Sequence, residues 1–231
     1  MTRQIIAAGG DAVFDTILHS YILKQCKSNT PKICLLPTPS GDNQHLIYDF
    51  FSIFGIYNCI PDYLPLFHNK EADIENFLLS QDIIIVSGGH TKSAIHIWEG
   101  WGIPNILKRA YENGTILTGG SAGAVCWAKE CITDSFAGKL SVMKCLNFLP
   151  FSICPHYVSK ERRQAFKLAI AENRISAGYG ISDGAAIHFV DEKAHRSVAS
   201  VKEASSFFVE RASSLKKENS VKSTRFDIVN L

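Results

Sequence analysis

Residues 115–125, Thr-Ile-Leu-Thr-Gly-Gly-Ser-Ala-Gly-Ala-Val, read as a short apolar strand, a sharp turn and the start of a helix. The glycines at 119 and 123 flank Ser121 in a G-x-S-x-G spacing. A serine presented on such a tight strand-to-helix turn needs neighbours without bulk, because strand and helix must approach closely. Gly119, Gly120, Ala122, Gly123 and Ala124 are all small, more than the spacing demands. The backbone N–H of Ala122 then lies at a helix N-terminus, where a developing oxyanion is favoured. A phosphate-binding turn fits less well, since no lysine follows and the G-x-G-x-x-G spacing is missing.

Outward from this turn, short apolar runs at Ile5–Ala8, Ile33–Pro37, Ile83–Val86 and Thr115–Thr118 alternate with amphipathic stretches. Phe14, Ile17, Leu18, Tyr21 and Ile22 form one helical stripe. Further helices are expected over His45–Phe54, Glu71–Leu79 and Ser93–Tyr111. Strand alternating with helix predicts an α/β fold in three layers, a mostly parallel sheet flanked by helices. Ala186–Val190, Ser197–Val201 and Ser206–Glu210 predict an antiparallel extension near the C-terminus. Ser213–Ser223 reads as a polar loop and Arg225–Leu231 as one last strand. No domain boundary is visible, so residues 1–231 are expected to form one domain. In sheets of this kind ligands sit beyond the carboxyl ends of the strands. The glycine pair of Ser87-Gly88-Gly89-His90 falls there too, and its backbone is the source expected for a second oxyanion donor.

A reactive serine needs a base, and the base needs a group to hold it. Of eight histidines, His156 stands out, following the apolar run Phe151-Ser-Ile-Cys-Pro155 just before a helix start at Ser159. The others fall in helical or loop patterns or, like His188 and His195, in the C-terminal strands. Two acids qualify: Asp183, in a strand-then-glycine turn, and Asp134, just past the nucleophile helix. Spacing alone leaves both open.

Composition narrows the classes. Of 231 residues 46% are hydrophobic and 20% charged, a globular mixture. Twenty-four basic against 22 acidic residues leave a net charge of only +2, so no basic field points to nucleic acid. No run approaches the roughly 18 continuous apolar residues of a membrane span. Seven cysteines form an odd set without a C-x-x-C pair. The N-terminus starts directly with a strand-like run rather than a long apolar segment. Together these predict a cytoplasmic protein with reduced thiols.

Four blocks, Ile83–Thr91 (IIIVSGGHT), Thr118–Ala124 (TGGSAGA), Cys154–Tyr157 (CPHY) and Gly180–Ala186 (GISDGAA), occur in an order that resembles peptidase family S51, the aspartyl dipeptidases (peptidase E) and cyanophycinases. The resemblance implies a class I glutamine-amidotransferase-like, or flavodoxin-like, fold and a serine hydrolase with the order Ser, His, acid. It matches Ser121 to the nucleophile, His156 to the base, and Gly89 and Ala122 to the oxyanion donors. Asp183 matches the triad carboxylate, more usually Glu in the family, and is favoured because a strand and a glycine turn fix it. Asp134, matching an aspartate also proposed as the acid, is the alternative.

Two departures bear on substrate. The family's Gly-Gly-Asn is here Gly88-Gly89-His90, changing a side chain that lines the site. Arg162 stands where a substrate-binding arginine is expected, while a further arginine of the cyanophycinases is Ala165 here. The expected activity is hydrolysis of short peptides through an acyl-enzyme, with no metal or organic cofactor. A small peptide is the expected partner, with no nucleic acid or membrane, and a homodimer is left open. The competing readings are an esterase-type serine hydrolase and a non-catalytic binding protein on the same scaffold.

Overall fold

Polar caps and glycine stops cut this chain into short elements, and the computed structural model describes them over residues 1–10, 15–68, 71–212 and 221–230. The first half alternates: β1 (Gln4–Ala8), α1 (Thr16–Gln25), β2 (Lys32–Leu36), α2 (Gln44–Phe54), β3 (Ile60–Tyr63), α3 (Ile74–Leu79) and β4 (Ile83–Val86). Then come α4 (Thr91–Gly100), α5 (Ile103–Glu112), β5 (Ile116–Gly120) and the short α6 (Ala122–Val125). The second half is strand-rich: β6 (Ala128–Phe136), β7 (Lys139–Lys144), β8 (Leu149–Cys154), α7 (Lys160–Ala171) and β9 (Gly178–Ile181). It ends with β10 (Ala185–Val190), β11 (Lys193–Ala199), β12 (Ser206–Arg211), β13 (Val221–Arg225) and β14 (Ile228–Asn230).

Asp15, Asn43, Asp73 and Ser159 start α1, α2, α3 and α7 by accepting first-turn N–H groups that the helix leaves unpaired. The single helix expected over Ser93–Tyr111 is two helices. Gly102 takes a left-handed φ of 70° and Pro104 stands in the first turn of α5, which ends one helix and starts the next. On α1, Leu18, Tyr21 and Ile22 are buried as expected, but Ile17 is exposed and His19 takes a buried place. Phe14 lies outside the described residues.

The strands form an eight-stranded sheet, β14–β11–β10–β1–β5–β4–β2–β3, and a six-stranded one, β13–β12–β9–β8–β6–β7. In the first, β1, β5, β4, β2 and β3 are parallel, and β10 and β11 make the antiparallel extension. Side chains alternate along these strands with the period of two that a pleat imposes. Ile6, Ala8, Ile33, Leu35, Ile83 and Ile85 pack on α1 and α2. Ile5, Ala7, Leu36, Ile84 and Val86 turn to the other face, toward α4 and α5 and also toward Cys131, Ile153 and Ile181 of the second sheet. Helix α7 covers the far face of that second sheet through Phe166, Ala169 and Ile170.

The expected helix-flanked sheet is therefore present, with a second sheet added to it. The strand read at Ser206–Glu210 pairs in that second sheet, antiparallel to β9, rather than extending the first. Of the loop read over Ser213–Ser223, residues 213–220 lie outside the described residues and Val221–Ser223 belong to β13. The last strand, β14, runs parallel to β11.

His188, on β10, ties this frame to α1. The Tyr21 hydroxyl lies 2.9 Å from its Nδ1 and Gln4 Oε1 lies 3.0 Å from its Nε2. Burial, reinforced by His195 and Arg196, pushes this imidazole down to about 4. Below its ordinary value near 6.5 the unfolded chain takes up the proton first. The stability due to neutral His188 is thus complete above about pH 6.5 and is lost as the pH falls toward 4. We expect urea unfolding to record about 3 kcal/mol of that loss between pH 7 and 4, and a His188→Gln variant to lack it; equal pH dependence in both would refute the assignment.

Candidate active site

Ser121 stands at the join between β5 and α6 with φ 52° and ψ −112°, a conformation costly for a residue with a Cβ. The turn is so tight that a Cβ on Gly119 or Gly123 would run into the Val86 carbonyl oxygen at the end of β4. The two glycines are therefore a steric requirement of the turn. Ser121 N–H donates to the Ala8 carbonyl at 3.2 Å, anchoring the turn to the end of β1.

His156 and Asp183 follow β8 and β9, parallel neighbours in the second sheet. Like Ser121, His156 has a positive φ, 51°. Its N–H donates to the Gly9 carbonyl (2.9 Å), and Tyr157 N–H donates to the Ile181 carbonyl (3.0 Å). Arg163 Nε donates to the Tyr157 carbonyl from the first turns of α7. Three strand ends thus fix the imidazole. Its Nε2 lies 2.8 Å from Ser121 Oγ and its Nδ1 2.6 Å from Asp183 Oδ1. Both distances suit hydrogen bonds, with Ser121 donating to Nε2 and Nδ1–H donating to the carboxylate. The side chains of His156 and Asp183 are 35% and 50% exposed, so the row opens to solvent.

The other acid candidate is elsewhere. Asp134, near the end of β6, accepts from Arg162 Nη2 at 2.8 Å instead of facing His156. The guanidinium side of that pair is only 12% exposed and Asp134 57%. Asp134 lies on a strand of the second sheet.

Gly88 and Gly89 follow β4, and Gly89 has φ 134°, where a Cβ would run into the Pro39 carbonyl. The 3₁₀ turn Thr38–Ser40 carrying that carbonyl is held by Trp98 Nε1 donating to Thr38 Oγ1 at 3.0 Å. Among the described residues neither Gly89 N–H nor Ala122 N–H has a backbone acceptor. Both are available to a ligand oxygen. His90 is exposed and caps α4, its Nδ1 accepting from Ser93 N–H at 3.2 Å. Sequence reading missed the Gly9-Gly10 pair at the end of β1. Its signal was the same one used elsewhere, two glycines at the carboxyl end of a parallel strand. Among the described residues no group of three or more His, Cys, Asp or Glu side chains is gathered as a metal-ligand set, and no helix is long and apolar enough to cross a membrane.

An α/β fold that brings a serine, a histidine and an aspartate into one hydrogen-bonded row at the strand ends of two sheets has the layout of a hydrolase. The chain belongs to peptidase family S51, whose sequence profile matches residues 5–197. It is a peptidase. It is 41% identical over 203 residues to a protein described as the uncharacterized peptidase YgaJ of Bacillus subtilis (strain 168), covering 86% of this chain and 88% of that one. Its fold matches the crystal structure of a putative peptidase E protein from Listeria monocytogenes EGD-e with a TM-score of 0.63 at 15% identity, covering 98% of this chain and all of the other. A peptidase from an acI-B1 Actinobacterium matches with the same score at 16% identity, covering 98% of each chain.

The strain at Ser121 is open to measurement. Glycine tolerates its backbone angles where alanine does not. Ser121→Gly should therefore be more stable than Ser121→Ala by about 1 kcal/mol in chemical denaturation, the reverse of the order seen in an ordinary helix; alanine proving the more stable would mean that the turn is relaxed.

Proposed function

We propose that this protein is a serine-type peptidase that hydrolyses short peptides, dipeptides in particular, through Ser121, His156 and Asp183. The observation carrying this reading is the continuous hydrogen-bonded row from Ser121 Oγ through the imidazole to Asp183, at 2.8 and 2.6 Å, on a strained turn, with two N–H groups, of Gly89 and Ala122, that have no backbone acceptor among the described residues. Ser121 Oγ attacks the scissile carbonyl while His156 Nε2 takes its proton. Asp183 holds the imidazole in the Nδ1–H tautomer and stabilises the imidazolium. The N–H groups of Gly89 and Ala122 receive the oxyanion, a type of donor whose loss costs about 10²–10³ in rate. The imidazolium passes its proton to the leaving amine, and water, deprotonated by the same imidazole, releases the acyl group.

Arg162 is proposed to receive a carboxylate of the substrate. Its guanidinium has a planar fork of donors, of which one is engaged by Asp134. Gly88 and His90 are proposed to line the substrate side. A cytoplasmic location is proposed on the free thiols of the seven cysteines. No cofactor enters this reaction.

A library of dipeptides and isoaspartyl peptides, screened with wild type and three variants, tests the scheme. Ser121→Ala should abolish turnover and Asp183→Asn should lower kcat by about 10⁴, while Asp134→Asn should leave most of kcat and change KM. If Asp134→Asn is crippled and Asp183→Asn is active, the proposed acid is wrong. Hydrolysis of p-nitrophenyl esters without cleavage of any peptide in the library would replace the peptidase reading with an esterase.

A further inference from the structure

The turn after β1 is bound into the site more tightly than a connecting loop requires. Gly9 N–H donates to the Ala185 carbonyl and Gly9 C=O accepts from His156 N–H, both at 2.9 Å. One peptide segment thus holds the loop bearing His156 and the strand that follows Asp183. A Cβ on Gly9 would collide with the carbonyl oxygens of Ile181 and Ser182, which are backbone and cannot yield. Gly10 differs. Among the described residues its nearest obstacle is Asp183, with Oδ1 2.8 Å, Cβ 3.3 Å and Cα 3.4 Å from the position a Cβ would take. That Oδ1 is the atom bonded to His156 Nδ1. Gly10 is also outside the left-handed region, so its φ does not call for glycine.

We propose that Gly10 is a positioning residue, bare of a side chain so that the Asp183 carboxylate can reach His156. This rests on the peptidase reading above for its consequence but not for its geometry. A methyl group at position 10 would stand closer to Oδ1 than van der Waals contact allows, and the carboxylate must move by several tenths of an ångström. It has room to do so. Gly10, Asp183, His156 and Gly184 border an open cavity of about 380 Å³ that also touches Asp15 and Leu18. Displacement into that space breaks the alignment with Nδ1 while leaving the fold standing, because the one severe clash is with a side-chain oxygen and the backbone at Asp183 has to give by no more than a few tenths of an ångström. The absence of a side chain at Gly10 serves the reaction; at Gly9 it serves the fold.

Gly10→Ala, Asp183→Asn and the double variant, each reacted with a fluorophosphonate probe, test this. In Gly10→Ala the maximal labelling rate of Ser121 should fall by roughly 10- to 10²-fold, the upper figure being what a misplacement of a full ångström can cost, with the probe concentration for half-saturation and the melting temperature unchanged. In the Asp183→Asn background the same substitution should add less than about twofold, since both act through one carboxylate. The far-downfield proton resonance of the His156–Asp183 hydrogen bond should be present in wild type and lost in Gly10→Ala. Wild-type labelling by Gly10→Ala, an equal drop in the Asp183→Asn background, or failure of Gly10→Ala to fold would each overturn the proposal. If wild type itself does not label at Ser121, the peptidase mechanism falls, and the proton resonance alone decides the positioning role: its loss in Gly10→Ala upholds it and its persistence overturns it.

Discussion

The hydrogen bond from His156 N–H to the Gly9 carbonyl joins two sheets that meet largely through apolar side chains. Ser121 belongs to the first sheet, whereas His156 and Asp183 follow strands of the second. A reactive row assembled from two sheets needs a register between them finer than hydrophobic packing supplies, because apolar contacts are non-directional. The backbone provides it. Ala8 accepts from Ser121, Gly9 accepts from His156, and the Gly9 N–H returns to Ala185 just beyond Asp183. Two consecutive residues at the end of β1 therefore touch the segments carrying all three side chains. The crossover of β10 back to the first sheet, antiparallel to β1, follows from the same arrangement.

Holding the row in place costs conformational energy at two points. Ser121 and His156 both sit at positive φ, without the freedom of glycine. Residues in such regions persist only where the surroundings over-determine them, at about 1–3 kcal/mol each. Here the surroundings are specific: the Val86 carbonyl packed on Gly119 and Gly123, and the backbone bonds that flank His156. The interior beneath, where Ile5, Ile6, Leu117, Ile153 and Ile181 are wholly buried, adds burial of core side chains that helps offset this local strain.

Much of this was legible from sequence because parallel strands and glycine turns are local signals. The runs at Ile83–Val86 and Thr115–Thr118, the turn around Ser121 and the proline-stopped strand before His156 are all found near where pattern placed them. What escaped was non-local. Whether Asp183 or Asp134 faces His156 depends on β8 lying between β6 and β9, and strand order is not written in either segment. The second sheet was hidden for a related reason. Strand β7, Lys139–Lys144, is half-exposed and polar, and β6 carries a register shift between Thr133 and Phe136, so neither has the clean alternation that marks a strand. Gly102 and Pro104, by contrast, are a local signal for a helix break that a single helix over Ser93–Tyr111 overlooks.

The same strand β6 that lacked a clear pattern organises the rim of the site. Asp134 near its end holds Arg162 at the start of α7, and Phe136 two residues later lies under the Lys92 ammonium, 4.7 Å from the ring centroid, at the start of α4. Thus the helices that follow Gly89 and His156 are each tied to one strand end by a side-chain contact that involves no backbone atom of the row. The parts differ in kind. The row of Ser121, His156 and Asp183 is positioned by main-chain bonds and by glycines that cannot be replaced without collision, whereas the rim is held by exchangeable charged and aromatic side chains. On the proposed function, a substitution on β6 therefore reshapes the approach to Ser121 while its geometry stays fixed, which separates the demands of reactivity from those of selectivity within one site.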